Sequence, residues 1–214
     1  MTVGPRDVLF GDAPMSAWPG SESMEQGEPW SSFVKARQHA NAGDTSAATK
    51  VLHQILQMRD LESRHYLQAW HFLRQMGQQP PNDEAKRLYG VVVEVGMEDG
   101  LDILAAYIDG TARYFNYSGA AIIWERPDGS LDARIEKLLA LGQDVANEIG
   151  AWQGDRPPAP AAGEIRINFL VPLGLHFGQG KFEDLARDSR GGPLIAAATE
   201  LMQALIAKSE NHGQ

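Results

Sequence analysis

The stretch YIDGTARYFNYSGAAIIWE, residues 107–125, contains two turn signals separated by apolar and aromatic residues. Asp109-Gly110 is typical of a tight β-hairpin turn, because both residues tolerate the positive φ that a type I′ turn needs. Ser118-Gly119 is a weaker signal of the same kind. The stretch therefore predicts three antiparallel strands joined by two short turns.

The pairing register of these strands follows if each turn holds two residues. Arg113 then lies opposite Trp124, and Tyr114 lies opposite Ile123. A guanidinium beside an exposed indole is a cation–π contact worth about 0.5 to 1 kcal/mol. Both faces of the meander are largely apolar, which predicts that both are covered, or that one is covered and the other binds a partner.

Two interpretations of the charged and aromatic side chains are open. In the first, Arg113 shields the indole of Trp124, and the aromatic residues pack the sheet. In the second, the side chains form a recognition surface for an anionic or peptidic group, with Arg113, Trp124, Tyr107, Tyr114 and Asn116 as the partner-binding set. Aromatic residues on strands are usually packing residues, which favours the first interpretation.

Two further strands are predicted on either side of this meander. Residues 90–95 are rich in β-branched side chains and predict a strand buried on at least one face. Residues 164–171 alternate between apolar and polar, which predicts a half-solvated strand with Arg166 and Asn168 on its solvated side. Pro172 ends this strand or marks an edge.

Long amphipathic helices complete the predicted fold. Residues 131–149 carry an apolar stripe at helical spacing, and Gly192-Pro193 begins a final helix, because proline suits the first helical position. The pattern predicts an α+β fold with an antiparallel sheet of about five strands over residues 90–171, packed by two long helices. This order is similar to profilin-like or roadblock-like scaffolds, which commonly serve as interaction modules.

A helical region precedes the sheet. Residues 30–76 show three successive helical patterns, with a Gly-Asp turn between the first two. They resemble one and a half tetratricopeptide-type hairpins, and that resemblance implies peptide binding. The full repeat motif is absent and about three repeats are needed for a stable solenoid, so a helical cap packed on the sheet is the favoured interpretation.

The pattern divides the chain into three parts. Residues 1–29 are rich in Gly, Pro and Ser and predict an irregular arm, whose apolar residues 8–10 and 15–18 could dock on the body. Residues 30–88 form the helical region, and residues 89–214 form the sheet domain. We expect the helical region and the sheet domain to pack as one unit.

Charge and composition narrow the partners. The formal net charge of -9 disfavours nucleic acid and anionic membranes, and leaves a protein partner with a basic surface or a cationic ligand. The chain has no cysteine, which excludes a thiolate nucleophile and Cys-ligated metals. The N-terminal segment lacks a signal-peptide pattern, so a cytoplasmic location is expected.

The Gly-rich segment 174–182 is the best candidate for chemistry. It fits neither a phosphate-binding loop nor a dinucleotide fingerprint, because the required glycine and hydroxyl positions hold other residues. His176 could form an acid–base cluster with Glu183 and Asp184 if a loop brings them together. No catalytic residue, metal or cofactor is otherwise indicated.

The leading functional prediction is therefore a non-enzymatic protein–protein interaction module, such as an adaptor, regulator or immunity-type binder. It would act through the apolar meander face or through the helical region, and a homodimer is possible. The alternative is a small enzyme or small-molecule sensor centred on His176.

Overall fold

The computed structural model describes residues 4–212. They form two compact units, one ending at Ala85 and the other beginning at Lys86. The first unit is helical, and the second contains an antiparallel sheet with helices, so the predicted α+β class is confirmed.

The helical unit contains the three predicted helices and two short helical segments within the arm. Gly43 lies in the turn between the first two of the three longer helices and has a φ of +78°. Asp44 then caps the next helix by accepting a hydrogen bond from the Ala47 backbone at 3.0 Å. The elements are α1 (Pro5–Leu9), a 3-10 helix (Ser21–Gln26), α2 (Trp30–Asn41), α3 (Thr45–Gln57) and α4 (Ser63–Gln75).

An aromatic cluster forms the core of the helical unit. Phe33 of α2 and Phe72 of α4 are fully buried and meet edge to face, with ring centroids 6.2 Å apart. Trp18 of the arm packs on both rings, at 4.8 Å from Phe33 and 6.0 Å from Phe72. Arg37 donates hydrogen bonds to the carbonyls of Ser16 and Pro19. These contacts hold residues 16–19 of the arm against α2 and α4.

We expect His71 of α4 to make stability pH-dependent. Burial, followed by the charge of Arg74, lowers the pKa of His71 to about 4, against the opposing charge of Asp12. Between pH 6.5 and 4 the unfolded chain therefore binds more protons, so stability is lost as pH falls, by about 2 kcal/mol at pH 5. Urea unfolding at pH 7.5 and at pH 5 measures this change. The free energy of unfolding should fall less between the two pH values in His71→Gln than in the wild type. His53→Gln, at an exposed position, is the control. If the free energy of unfolding of His71→Gln depends on pH as strongly as that of the wild type, His71 is not the cause.

The second unit contains a six-stranded sheet in which every neighbouring pair of strands is antiparallel. The strand order is β4-β3-β2-β1-β5-β6. The strands are β1 (Gly90–Met97), β2 (Gly100–Tyr107), β3 (Ala112–Phe115), β4 (Ala121–Trp124), β5 (Glu164–Val171) and β6 (Gly174–Lys181), and the helices are α5 (Asp132–Glu148), α6 (Phe182–Arg187) and α7 (Gly191–His212).

The predicted Gly-rich loop is a strand, which corrects the expected strand number from about five to six. Pro172 and Leu173 form a tight turn, and Gly174 then pairs with Val171 at the start of β6. The backbone ladder with β5 continues to Lys181. Glycine is only moderately unfavourable in a strand. Pairing along the whole length of β5 therefore outweighs the tendency of the glycines in this segment to form a loop.

The predicted register is wrong by one residue, because both hairpin turns hold three residues. The Tyr107 backbone N–H donates to Thr111, and Gly110 has a φ of +83°, which is typical of a type I turn followed by a bulge. The Asp109 carboxylate stabilises this turn by accepting hydrogen bonds from the Thr111 backbone and hydroxyl. Arg113 consequently pairs with Ala105 and Ile123 rather than with Trp124.

One face of the sheet packs on α5 and α7. Gly142 allows α5 to approach closely, since a Cβ there would lie 2.7 Å from a methyl group of Val91. Phe169 also borders this glycine. The fully buried side chains of this core include Val91, Ala106, Ala112, Leu131, Leu138, Ile165, Phe169, Leu201 and Leu205.

The opposite face carries a polar cluster, which we call the Glu94 cluster: the buried Glu94, Arg166 and Asn168 and the exposed Gln179. Arg166 Nη1 lies 3.5 Å from Glu94 Oε2, and its Nε and Nη2 donate to Gln179 Oε1 at 2.8 and 2.6 Å. Arg166 also donates to the Pro158 carbonyl at 2.8 Å, which fixes the proline-rich connector to the sheet. The predicted solvated side of β5 is therefore buried.

Candidate protein-interaction site

The structure divides the predicted partner-binding residues between the two faces of the sheet. Tyr107 and Arg113 lie on the face of the Glu94 cluster, whereas Tyr114 and Trp124 lie on the helix-covered face. The predicted contact between Arg113 and Trp124 is therefore wrong. The Arg113 guanidinium lies 6.0 Å from the Tyr107 ring centroid, and the Lys208 amine lies 5.6 Å from the Trp124 ring.

Burial leaves these side chains little surface for a partner. Tyr107, Arg113 and Trp124 are buried. Tyr114 is half-buried and donates to Asp102 at 3.1 Å, and burial followed by this carboxylate raises the pKa of Tyr114 to about 12. The Asn116 side chain organises the second hairpin turn by accepting hydrogen bonds from the Ser118 and Ala120 backbones. Their role in partner binding stays a prediction.

Strand β4 forms one edge of the sheet, and no further strand pairs with it among residues 4–212. Its backbone orientation follows from the turn, in which the Asn116 N–H donates to the Ala120 carbonyl. Hydrogen-bonded and non-hydrogen-bonded pairs alternate along an antiparallel ladder. Ile122 therefore bonds to β3, whereas the N–H and C=O groups of Ala121 and Ile123 point away from the sheet.

The side chains at this edge are apolar and accessible. Ile123 is 57% exposed, and Ala121 and the turn residue Tyr117 are exposed as well. Glu125 follows the strand, and its carboxylate lies 2.7 Å from the Arg113 guanidinium, which compensates its charge. We call Ala121, Ile123 and Glu125 the β4 edge. In this edge, the backbone groups of Ala121 and Ile123 point away from the sheet, the Ile123 side chain is exposed, and the Glu125 carboxylate is paired with Arg113.

Sequence reasoning did not single out Ile123 as a site residue. It assigned Ile123 to a face of the meander, but the two-residue turns placed the side chain opposite Tyr114. The Ile122-Ile123 pair gives the strand apolar side chains on both faces, and this was the available signal. Exposure of one of them became visible only with the strand order.

The predicted chemistry around His176 does not assemble. His176 lies on β6 with its side chain fully buried, and its Nδ1 lies 3.0 Å from the Gly174 carbonyl. Burial lowers the pKa of His176. Glu183 and Asp184 are exposed in the first turn of α6, beyond the end of β6. At about 3.3 Å per strand residue, the end of β6 alone is about 17 Å from His176.

The described residues hold no cluster of metal ligands, since within residues 4–212 no three His, Asp or Glu side chains are grouped in this way. In the same part of the chain, no helix has the length and apolar character needed to cross a membrane. No protein-family model matches the chain, and comparisons with curated proteins and with solved structures gave no match.

Proposed function

We propose that this protein is a non-enzymatic interaction module that binds a partner protein by strand addition at the β4 edge. The observation that carries this proposal is the exposure of Ile123 on an edge strand that has no neighbour among the described residues. A partner strand would receive backbone hydrogen bonds from β4 and an apolar contact from the Ile123 side chain.

The protection that edge strands usually carry is weak at β4. Soluble proteins protect their edges with lysine, proline, bulges or inward charges, because unpaired backbone groups otherwise recruit other chains. The sequence of β4 is AIIW, which contains no charge and no proline. Its shortness is the one protective feature, and Pro127 lies beyond it. This edge is therefore suited to binding a partner strand.

The contribution of backbone pairing can be tested with Ile123→Pro. Proline removes the outward N–H of residue 123 but leaves the ladder to β3 intact, because that N–H does not bond to β3. We expect partner binding to be lost while the free energy of unfolding changes by less than about 1 kcal/mol. The immobilised chain would capture partners from its host, and calorimetry with each purified partner would measure affinity.

Ile123→Lys should weaken partner binding as well, because it places a charge at the centre of the β4 edge. Ile108→Lys is its matched control, because Ile108 is 48% exposed but lies in the β2–β3 turn. Binding should survive this change. A partner whose affinity is the same for wild type, Ile123→Pro and Ile123→Lys, with all three variants folded by circular dichroism, would refute the proposed site.

A further inference from the structure

We infer that the partner at the β4 edge is a second copy of this chain, so that two β4 strands pair antiparallel around a two-fold axis at Ile123. This inference rests on the proposed function, since it assigns the occupant of the same edge. A two-fold interface requires a surface that is complementary to itself. The sequence and orientation of β4 meet this requirement.

The backbone groups of the β4 edge match one another in this arrangement. With the axis at Ile123, this residue pairs with Ile123 of the second copy. Ala121 then lies opposite Glu125 of the second copy, the residue that follows the last paired position of β4, Trp124. The Ile123 pair exchanges two hydrogen bonds, and the outward N–H and C=O groups of each Ala121 face the segment that leaves β4 of the second copy. The two six-stranded sheets would then be continuous.

The side chains also match on both faces. The two exposed Ile123 side chains meet on the face that carries Arg113. On the other face, the half-buried Ile122 lies beside Trp124 of the second copy. The Ile123 pair and the two pairs of Ile122 with Trp124 are therefore apolar, and cross-strand pairs of this kind stabilise a sheet.

Charge disfavours the neighbouring register that has its axis at Glu125. An axis at Ile123 places each Glu125 opposite the small Ala121 and within reach of its own Arg113, at 2.7 Å. An axis at Glu125 would instead oppose two carboxylates, and like charges directly opposite each other destabilise a sheet. It would also bring in Pro127, which has no N–H to donate.

The salt dependence of binding distinguishes a second copy from a partner with a basic surface. Each chain carries a formal charge of -9, so two copies repel one another at long range. Screening weakens this repulsion, and we expect dimerisation to strengthen between about 20 and 500 mM salt. Binding of a partner with a basic surface should weaken over the same range, because salt screens attraction as well.

Sedimentation of the purified full chain up to about 200 μM tests the inference. We expect a concentration-dependent dimer whose dissociation constant rises at least about tenfold in Ile123→Lys, because the variant sets two ammonium groups at the axis. Ile123→Pro should raise it as well, and Ile108→Lys should leave it unchanged. Circular dichroism checks that each variant is folded.

Disulfide cross-linking provides an independent test of the two-fold axis, because the chain has no cysteine of its own. Ile123→Cys introduces a single thiol at the axis, where paired Cα atoms about 5.5 Å apart suit a disulfide. Diamide, which takes up the two thiol hydrogens, should give a covalent dimer with Ile123→Cys and much less with Ile108→Cys. Equal cross-linking of the two variants would overturn the two-fold axis.

The outcomes distinguish this inference from the proposed function. A wild-type chain that is monomeric at both salt concentrations, or a dimer that Ile123→Lys leaves intact, refutes the second copy. If a different protein then binds wild type but not Ile123→Pro, the proposed function stands with another partner. If no binding depends on residue 123, both are refuted.

Discussion

Glu94→Ala should lower the free energy of unfolding by about 3 to 5 kcal/mol, because it leaves the buried charge of Arg166 without its carboxylate. Glu94 is 0% exposed, and its Oε2 lies 3.5 Å from Arg166 Nη1. The same oxygen accepts a hydrogen bond from Asn168 Nδ2 at 3.1 Å. The substitution removes both interactions and opens a space that the strands cannot fill.

Urea unfolding at pH 7 measures this change. The matched control is Glu98→Ala in the exposed β1–β2 turn, which should alter the free energy of unfolding by less than about 0.5 kcal/mol. The double variant Glu94→Leu with Arg166→Met should recover much of the lost stability, since apolar pairs often replace buried ion pairs without loss. A typical single substitution lowers the free energy of unfolding by about 1 kcal/mol. If Glu94→Ala lowers it by no more than this, the buried ion pair does not have the proposed effect.

The Glu94 cluster also shows what the sequence could and could not predict. The alternation of β5 was predicted correctly, because period-two patterning is local. Its polar side was assigned to solvent, yet Arg166 and Asn168 are buried. Their burial depends on Glu94, which lies 72 positions from Arg166 in the chain and is its direct partner in the β1–β5 register. No local pattern contains that pairing.

The hairpin turns show a second limit. Asp109-Gly110 correctly located the first turn, but a two-residue and a three-residue turn share this signal. The difference comes from side-chain hydrogen bonds, with Asp109 and Asn116 each accepting from backbone N–H groups further along its own turn. One extra residue moves each side chain to another partner. The predicted set around Arg113 and Trp124 was separated for this reason.

The candidate site could be predicted only in part. The meander was correctly identified as an unusually apolar sheet, but the edge position of β4 depends on strand order. That order follows from β5 pairing with β1, which leaves β4 as an end strand. Exposure of Ile123 is a consequence of this long-range arrangement.

Phe72→Ala should destabilise the helical unit by about 3 to 5 kcal/mol, because it opens a cavity in a core where the ring is 0% exposed. The substitution also removes the edge-to-face contact with Phe33 and the tilted contact with Trp18, and aromatic pairs contribute about 0.5 to 1.5 kcal/mol beyond burial. Trp18 belongs to the arm, so the effect should extend beyond α4.

Hydrogen exchange followed by mass spectrometry distinguishes these consequences. In Phe72→Ala, backbone amides of residues 14–20 should exchange faster, because the arm loses an aromatic partner while the hydrogen bonds from Arg37 to Ser16 and Pro19 remain. Phe182→Ala, at a position 37% exposed on α6, removes the same ring from the other unit. It should leave exchange in the arm unchanged. If the arm exchanges at the wild-type rate in Phe72→Ala as well, Trp18 does not depend on this ring, and the arm is held by Arg37 and Phe33 instead.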